Sequence, residues 1–264
     1  MDSCNPASLT KLVVNTIVMS AFSSRQLFLP RGNSLETALN FDLEKVSPVE
    51  MLNAIQLHFS ELLHQSIDRS IIPVVSVGIQ GALGQDFIGA GFRNMSEVAV
   101  QGVIGDFGFC SFGDGECHVE GNVGHFFGHS IASGIIIVRG HVKKAVGALG
   151  TGGLIAIYGN AGDRAAVGMQ GADVVIRGSV ANYAGLGMQS GSLIVGGSAG
   201  LHLGHGMRGG TIYIRGDAES ISPDIEERRM REPDRLKIGM LMLKSSIKLV
   251  GKEFRVFHSI HQAE

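Results

Sequence analysis

Residues 204–209 read Gly-His-Gly-Met-Arg-Gly, which matches the glycine pattern of dinucleotide-binding loops letter for letter. In such a loop the glycines let the backbone approach a pyrophosphate, and the N-terminus of the following helix binds it. Here the next residues, 211–215, read Thr-Ile-Tyr-Ile-Arg and predict a strand. The helix that nucleotide binding requires is therefore missing, and we interpret the match as coincidental.

Five histidines in the glycine-rich part of the chain could bind a metal: His125, His129, His141, His202 and His205. His129 and His205 occupy equivalent positions of the repeat described below, but four repeats apart, or about 19 Å at the usual strand spacing. One zinc ion cannot bind both, because Zn–N distances are about 2 Å. The other histidines lie close in sequence but not on a helix. We therefore predict surface histidines and no metal site.

The remaining reactive groups also lack partners for chemistry. Cys117 falls in the inward set of the strands below and predicts a buried, inert thiol. Cys110 is more exposed, but no base accompanies it. Neither a Ser/His/Asp or Cys/His arrangement nor a carboxylate pair on adjacent repeats stands out. We predict no catalytic, cofactor-binding or metal-binding residue in this chain.

A 19-residue repeat must position all of these groups. Glycines recur at this interval from Gly102 to Gly216, and 35 of the 38 glycines lie between Gly78 and Gly216. The five residues before each of these glycines form a short segment rich in β-branched side chains, which predicts a strand. Their second and fourth positions are apolar and should point inward: Cys117/Val119, Ile136/Val138, Ile155/Ile157, Val174/Ile176, Leu193/Val195 and Ile212/Ile214.

The turns complete one coil of a solenoid. Turns such as Gly159-Asn-Ala-Gly162 should need the positive φ that glycine and asparagine tolerate, and a second corner follows at Gly152-Gly153 or Gly209-Gly210. Successive strands must run parallel, because the connection is too short for a crossover helix. We predict an all-β fold, a right-handed parallel β-helix of about seven coils with flanking capping helices. Met169, Met188 and Met207 should stack inside it.

The outward positions of the strands include polar residues such as Glu116, Asp173 and Thr211, so this face should meet solvent or a partner. Arg139, Arg177 and Arg215 share one outward column on alternate coils, about 10 Å apart. This column could face acidic groups of a partner or form a solvated surface. We select these three arginines as candidate partner-facing residues.

Different segments flank the repeat. We divide the chain into an N-terminal extension with a capping helix (1–70), a β-helix domain (71–218) and a C-terminal helix with a tail (219–264). A capping box, Ser47-Pro-Val-Glu50, should begin the first helix, with an apolar face: Met51, Leu52, Ile55, Phe59, Leu62 and Leu63. Pro233 should begin the second, which is apolar almost all round and could dock on a partner or pack on the rod. Residues 254–260 alternate and could add a strand.

Composition excludes several classes of protein. The net charge is −2 and only 17% of the residues are charged, which gives no electrostatic basis for binding nucleic acid or acidic lipid. The apolar stretch Leu9–Phe22 is interrupted by Lys11 and Asn15, too short to span a bilayer, and not preceded by a basic segment. Three unpaired cysteines fit a reducing compartment. We expect a cytoplasmic protein with no membrane partner.

The stretch from Gly102 to Gly216 resembles the glycine-rich repeat domain that closes the large subunit of glutamate synthase. The matching segments are Gly121-Asn-Val-Gly, Gly147-Ala-Leu-Gly-Thr-Gly-Gly-Leu-Ile, Gly159-Asn-Ala-Gly-Asp-Arg, Gly168-Met-Gln-Gly-Ala-Asp-Val-Val-Ile-Arg-Gly and Gly206-Met-Arg-Gly-Gly. The same family includes the glycine-repeat subunit of formylmethanofuran dehydrogenase and that of the related formyltransferase/hydrolase complex. The continuous 19-residue spacing looks most like the stand-alone version in glutamate synthase-like complexes, including N-methylglutamate synthase.

The resemblance implies a non-catalytic structural subunit that braces the glutaminase and synthase parts of such a complex. Its partners would be a glutamine amidotransferase subunit and an FMN-dependent synthase subunit, with FMN and iron–sulfur clusters in the partner and no cofactor in this chain. The alternative is the glycine-repeat subunit of a formylmethanofuran dehydrogenase or formyltransferase/hydrolase complex. A free-standing polysaccharide-binding or -cleaving β-helix is a third hypothesis, which the absence of Trp disfavours.

Overall fold

The structure, a computed structural model, describes residues 36–65, 74–93, 95–249 and 253–261. The apolar stretch Leu9–Phe22 lies outside these residues, as does the rest of the N-terminal extension up to residue 35. The side chains of Phe59, Leu62 and Leu63, predicted to line the first helix, also lie outside those described.

The described residues form one mixed sheet of eleven strands, in the order β1-β2-β3-β4-β5-β6-β7-β8-β9-β11-β10. The strands are β1 Glu36–Asp42, β2 Val74–Gln85, β3 Met95–Ile104, β4 Glu116–Glu120, β5 Ile135–Val138, β6 Leu154–Ile157, β7 Gln170–Ile176, β8 Ser190–Val195, β9 Thr211–Ile214, β10 Ile225–Arg228 and β11 Arg255–Ser259. Helix α1 comprises Pro48–Gln65, and helix α2 comprises Glu232–Ser245.

The strands form a parallel β-solenoid of about seven turns, which confirms the predicted fold. From β1 to β9 each strand pairs in parallel with the next, and the pairing follows the 19-residue repeat: Ile136 lies opposite Ile155, and Ile155 opposite Val174. The handedness of the coil stays a prediction.

The interior is filled by the predicted inward positions. All twelve of these side chains, from Cys117 to Ile214, have no accessible surface, and Met169, Met188 and Met207 are equally buried. At the N-terminal end of the rod, Phe109, Phe112 and Phe127 fill the same space with larger rings in edge-to-face contact. The dry apolar core that the repeat predicts is therefore continuous along the rod.

The repeat glycines have a different role from the predicted one. From Gly121 onward they do not have positive φ, so the prediction that these turns need that conformation is wrong. They are glycine because consecutive coils touch there. The N–H of Gly159 donates to the carbonyl of Gly140 at 3.0 Å, and a Cβ on Gly159 would lie 2.5 Å from the same oxygen. At the second corner, Gly153 and Gly210 do have positive φ, as predicted.

In the segment between the two corners every second residue has a positive φ, which explains the glycine-x-glycine pattern. In one coil Ala145, Gly147 and Leu149 have φ of +61°, +66° and +56°, and equivalent residues of the other coils repeat the pattern. The first and third of these N–H groups bond to the following coil and the second to the preceding coil. Glycine is favoured at the middle position, because a Cβ on Gly147 would lie 2.9 Å from Val174.

Polar side chains form a ladder along the corner after the strands. Asn122 Oδ1 accepts the N–H of His141 at 2.8 Å, His141 Nδ1 accepts the N–H of Asn160 at 3.0 Å, and Asn160 Oδ1 accepts the N–H of Ser179 at 2.9 Å. Each side chain thus satisfies a backbone donor of the next coil, and the neutral ring of His141 must carry its proton on Nε2.

Asparagine should replace His141 without loss, since asparagine already accepts this hydrogen bond one coil before and one coil after. We expect His141→Asn to change the free energy of unfolding by less than about 0.5 kcal/mol and His141→Ala to lower it by about 1 kcal/mol. Urea denaturation of the two variants measures the difference. Equal losses would mean that the ladder does not stabilise the coil.

Helix α1 covers the N-terminal end of the core. The predicted capping box is present: Ser47 N–H donates to Glu50 Oε2 at 2.9 Å and Glu50 N–H donates to Ser47 Oγ at 3.3 Å. These bonds hold the pKa of Glu50 below its usual value. Met51 and Ile55 are buried against the core of the first coils.

The C-terminal segment packs on the rod, which was one of the two alternatives. Strand β11 pairs antiparallel with β9 and β10 and covers the C-terminal edge of the parallel sheet. Ile238 and Leu241 of α2, with Ile247 and Val256, cover an outward column of the strands, and both sets are buried together. That column is apolar: Ile137, Ala156, Val175, Ile194 and Tyr213. The prediction that the outward face meets solvent or a partner is wrong for it.

Helix α2 also has an opposite face that nothing in the described chain covers. Leu236, Met240 and Leu243 lie there, with Leu243 82% exposed. No helix within the described residues is both long enough and apolar enough to cross a bilayer.

Candidate functional site

The three partner-facing arginines differ in their surroundings. Arg139 lies 3.7 Å from Glu120 and over the ring of Tyr158, 4.1 Å from its centre, and Arg215 lies 5.9 Å from the ring centre of Phe254. The guanidinium of Arg177 is exposed and has no ion-pair partner among the described residues. Two of the three therefore pack against aromatic rings of their own chain, and Arg177 is the one most open to a partner.

Three polar contacts fix the C-terminal segment on the outward face. Lys237 Nζ lies 2.9 Å from Asp173 Oδ2, Tyr213 Oη donates to Asp234 Oδ1 at 3.0 Å, and Tyr158 Oη donates to the carbonyl of Ser246 at 2.9 Å. Asp173 Oδ1 is buried without a hydrogen-bond partner. The ion pair is therefore what compensates the carboxylate under α2.

Burial raises the pKa of Tyr213 above its ordinary value, and the nearby Asp234 carboxylate raises it further. An unfolded tyrosine ionises near pH 10, so above that pH the unfolded chain loses this proton and the folded chain retains it. The contribution of Tyr213 to stability should thus be complete below about pH 10 and decline as the pH rises further. Urea denaturation at pH 8 and at about pH 11 measures the difference in free energy of unfolding between wild type and Tyr213→Phe. This difference should be smaller at the higher pH. An equal difference at both pH values would contradict the prediction.

Three of the five candidate histidines lie in two separate aromatic groups, whereas His125 and His141 accept backbone N–H groups of the next coil. His129 contacts Phe107 and Phe126 edge-on, and its Nδ1 lies 2.9 Å from Ser130 Oγ. His202 stacks on Tyr183 with ring centres 4.8 Å apart, and His205 packs edge-on against both rings. Among the described residues no group of three or more His, Cys, Asp or Glu side chains could hold a metal ion.

The glycine loop at residues 204–209 leads into strand β9 and not into a helix, as predicted. Its backbone donors are occupied: Gly204 N–H bonds to the Ala184 carbonyl and Gly206 N–H to Asp224 Oδ2, both at about 2.8 Å or less. The carboxylate of Asp224 thus accepts a hydrogen bond that a bound phosphate would have to accept. The loop is therefore a structural part of the coil that leads into β9.

A cavity of about 510 Å³ lies on the corner of the first four coils. Asp86 and Asp106 line it, on adjacent coils, and sequence analysis had missed this carboxylate pair. Asp86 Oδ1 accepts the N–H of Asp106, and Asp106 Oδ1 accepts the N–H of His125, both at 2.7 Å. The signal was available, because the two residues occupy equivalent positions of the repeat.

An aromatic column lies beside these aspartates in the repeat: Phe87 follows Asp86, Phe107 follows Asp106, and Phe126 follows His125. The ring centres of Phe87 and Phe107 are 5.4 Å apart and those of Phe107 and Phe126 are 4.9 Å apart, with nearly parallel planes. Phe87 and Phe126 are exposed, and all three residues have positive φ. Leu83 and Val103, on the other side of the aspartates, are also exposed.

Cys110 and Cys117, the cysteines among the described residues, occupy the two environments that the sequence indicates. Cys117 is completely buried, and burial raises the pKa of its thiol well above the ordinary value. Cys110 is half-buried, and burial also raises the pKa of this thiol. Neither environment favours the reactive thiolate.

Comparison with known proteins places the repeat in context. The sequence profile of the family described as "GXGXG motif" matches residues 50–248, which is more than half of the 264 residues. No curated protein matches the chain. The matched range includes most of α1, strands β2 to β10 and α2, whereas β1 and β11 lie outside it.

Proposed function

The chain belongs to the GXGXG motif family, that of the C-terminal domain of the glutamate synthase large subunit, and we propose that it is a non-catalytic structural subunit of a glutamate synthase-like complex. In this proposal the rod braces a glutamine amidotransferase subunit and an FMN-dependent synthase subunit that also carries the iron–sulfur clusters. The complex would be cytoplasmic. This chain would contribute rigid surface, and its partners the chemistry.

The observation that carries the proposal is apolar surface on the outside of a rod whose own core is complete. Side chains as large as Leu83, Phe87 and Leu243 are 75%, 55% and 82% exposed, although the interior of every coil is filled. Single exposed apolar residues are ordinary, but groups of them on a rigid support are typical of surfaces that bind another protein. A bracing subunit needs such surfaces.

Purifying the protein from its source under mild conditions tests the proposal. We expect it to elute together with a glutaminase and a flavoprotein, and the shared fraction to form glutamate-family products from glutamine. Mass spectrometry identifies the subunits, and the FMN absorbance follows the synthase. Elution as a monomer, or together with formyltransferase subunits, would contradict this assignment.

Arg177 should contribute to this assembly, because its guanidinium is exposed and unpaired in the described chain. We expect Arg177→Glu to weaken the complex about tenfold, since one interface charge pair of about 1.4 kcal/mol would be lost. Arg208→Glu, which changes another exposed arginine on a different corner, is the matched control. Equal affinities of both variants for the complex would show that Arg177 does not lie in the interface.

A further inference from the structure

The corner of the first coils differs from the same corner in later coils. Position for position, Leu83 and Val103 precede Asn122, His141 and Asn160 in one column of the repeat. In the later coils this column is a polar ladder that binds backbone N–H groups. In the first two coils it carries two exposed apolar side chains that can accept no hydrogen bond.

The carboxylates of this corner also differ from their later equivalent. Asp163 occupies the same column as Asp86 and Asp106, and Lys144 lies 3.0 Å from its carboxylate and lowers its pKa. Asp86 and Asp106 have no ion-pair partner among the described residues, and each uses one oxygen for a backbone N–H. Lys143 lines the far end of the cavity, two coils beyond Asp106, or about 10 Å by the strand spacing. The cavity therefore has room and negative charge for a cation.

The aromatic column indicates which kind of molecule would carry the cation. Phe107 is stacked on both faces, by Phe87 and Phe126, with interplanar angles of 7° and 6°, so the stack covers four of the six ring faces. Sugars and bases bind aromatic residues through the ring face. Ring edges beside Leu83 and Val103 suit aliphatic side chains of a protein.

We propose that this corner face, consisting of Leu83, Asp86, Phe87, Val103, Asp106 and Phe126, binds an apolar segment of a partner subunit that carries an arginine or lysine. The charged group of that residue enters the cavity and pairs with Asp86 and Asp106, while its apolar neighbours cover the exposed rings and aliphatic side chains. The identity of the partner as a subunit of the complex rests on the proposed function; the chemistry of the face does not.

The face itself is tested on the full chain with n-hexylguanidinium, a guanidinium group on an apolar chain. We expect saturable NMR shifts of the amides of Asp86, Phe87 and Asp106, with a dissociation constant on the order of 1 mM. The double variant Asp86→Asn, Asp106→Asn should weaken this binding about tenfold. An absence of saturable shifts, or equal binding by the double variant, overturns the proposal.

The partner is tested with variants that leave the backbone unstrained. Phe87 and Phe126 have φ of +59° and +55°, which glycine adopts without cost, so Phe87→Gly, Phe126→Gly should fold normally. We expect this variant to lose about tenfold in affinity for one subunit of the complex. Tyr183→Gly is the matched control, in the same column with φ +59° but three coils further on.

The outcomes separate the two proposals. Equal assembly by the phenylalanine variant and its control overturns the corner face as a contact between subunits and leaves the proposed function intact. A wild-type dimer that the phenylalanine variant loses would assign the face to a second copy and overturn the proposal as well. If the wild type assembles with no glutaminase or flavoprotein, the proposed function fails, and the hexylguanidinium titration alone decides whether the corner binds an apolar cation.

Discussion

Gly159→Ala should lower the free energy of unfolding by about 2–3 kcal/mol, because the new Cβ would lie 2.5 Å from the Gly140 carbonyl oxygen and within 2.8 Å of its carbon. The only relief is to separate two coils whose backbones are hydrogen-bonded at that point. The loss should appear in urea denaturation as a lower midpoint with an unchanged slope.

Gly239→Ala is the matched control, on an exposed turn of α2 where a Cβ meets nothing within 4 Å. There alanine should raise the free energy of unfolding by about 0.5–1 kcal/mol, through its higher helix propensity. A neutral Gly159→Ala would show that the coils can separate at little cost, and the explanation of the 19-residue glycine by close backbone contact would fall.

Lys237→Met should lower the free energy of unfolding by about 2–3 kcal/mol, because it leaves the Asp173 carboxylate under α2 without its cation. The side chain of Asp173 is only 16% exposed and its Oδ1 already lacks a hydrogen-bond partner. Methionine retains the apolar stem of lysine, so the change isolates the charge. Hydrogen exchange should also increase in β6 and β7, on which α2 packs.

The double variant Asp173→Ser, Lys237→Met distinguishes the ion pair from general disruption of the helix. Serine is present at the equivalent position of the next coil, Ser192, where it is buried. We expect the double variant to regain most of the lost stability, which gives a coupling energy of at least about 1 kcal/mol. A coupling close to zero would mean that Asp173 and Lys237 act independently.

The repeat predicted the inward positions correctly because every coil imposes the same environment on equivalent residues. An alternation that places Ile136, Ile155 and Val174 at one depth is local, and parallel pairing at constant register follows from it. The methionine column followed for the same reason. The repeat contained the Asp86–Asp106 pair as well, but the two residues are 20 positions apart, because the first coils depart from the 19-residue spacing.

The outward face could not be predicted in the same way. Ile137, Ala156 and Val175 lie between two inward apolar residues, so the centres of these strands are apolar on both faces, and only the position of α2 shows what covers the second apolar column. The role of the glycines was equally hidden, since positive φ and close contact between coils select the same residue. The backbone conformation of Gly159 and its distance from Gly140 distinguish the two roles.

The sequence by itself determined the parallel solenoid and its dry interior, because a fixed spacing of apolar residues has one way to stack. The tertiary structure decided which outward side chains are covered by the C-terminal segment. This coverage depends on where a distant segment returns to the rod, and no local pattern specifies that return.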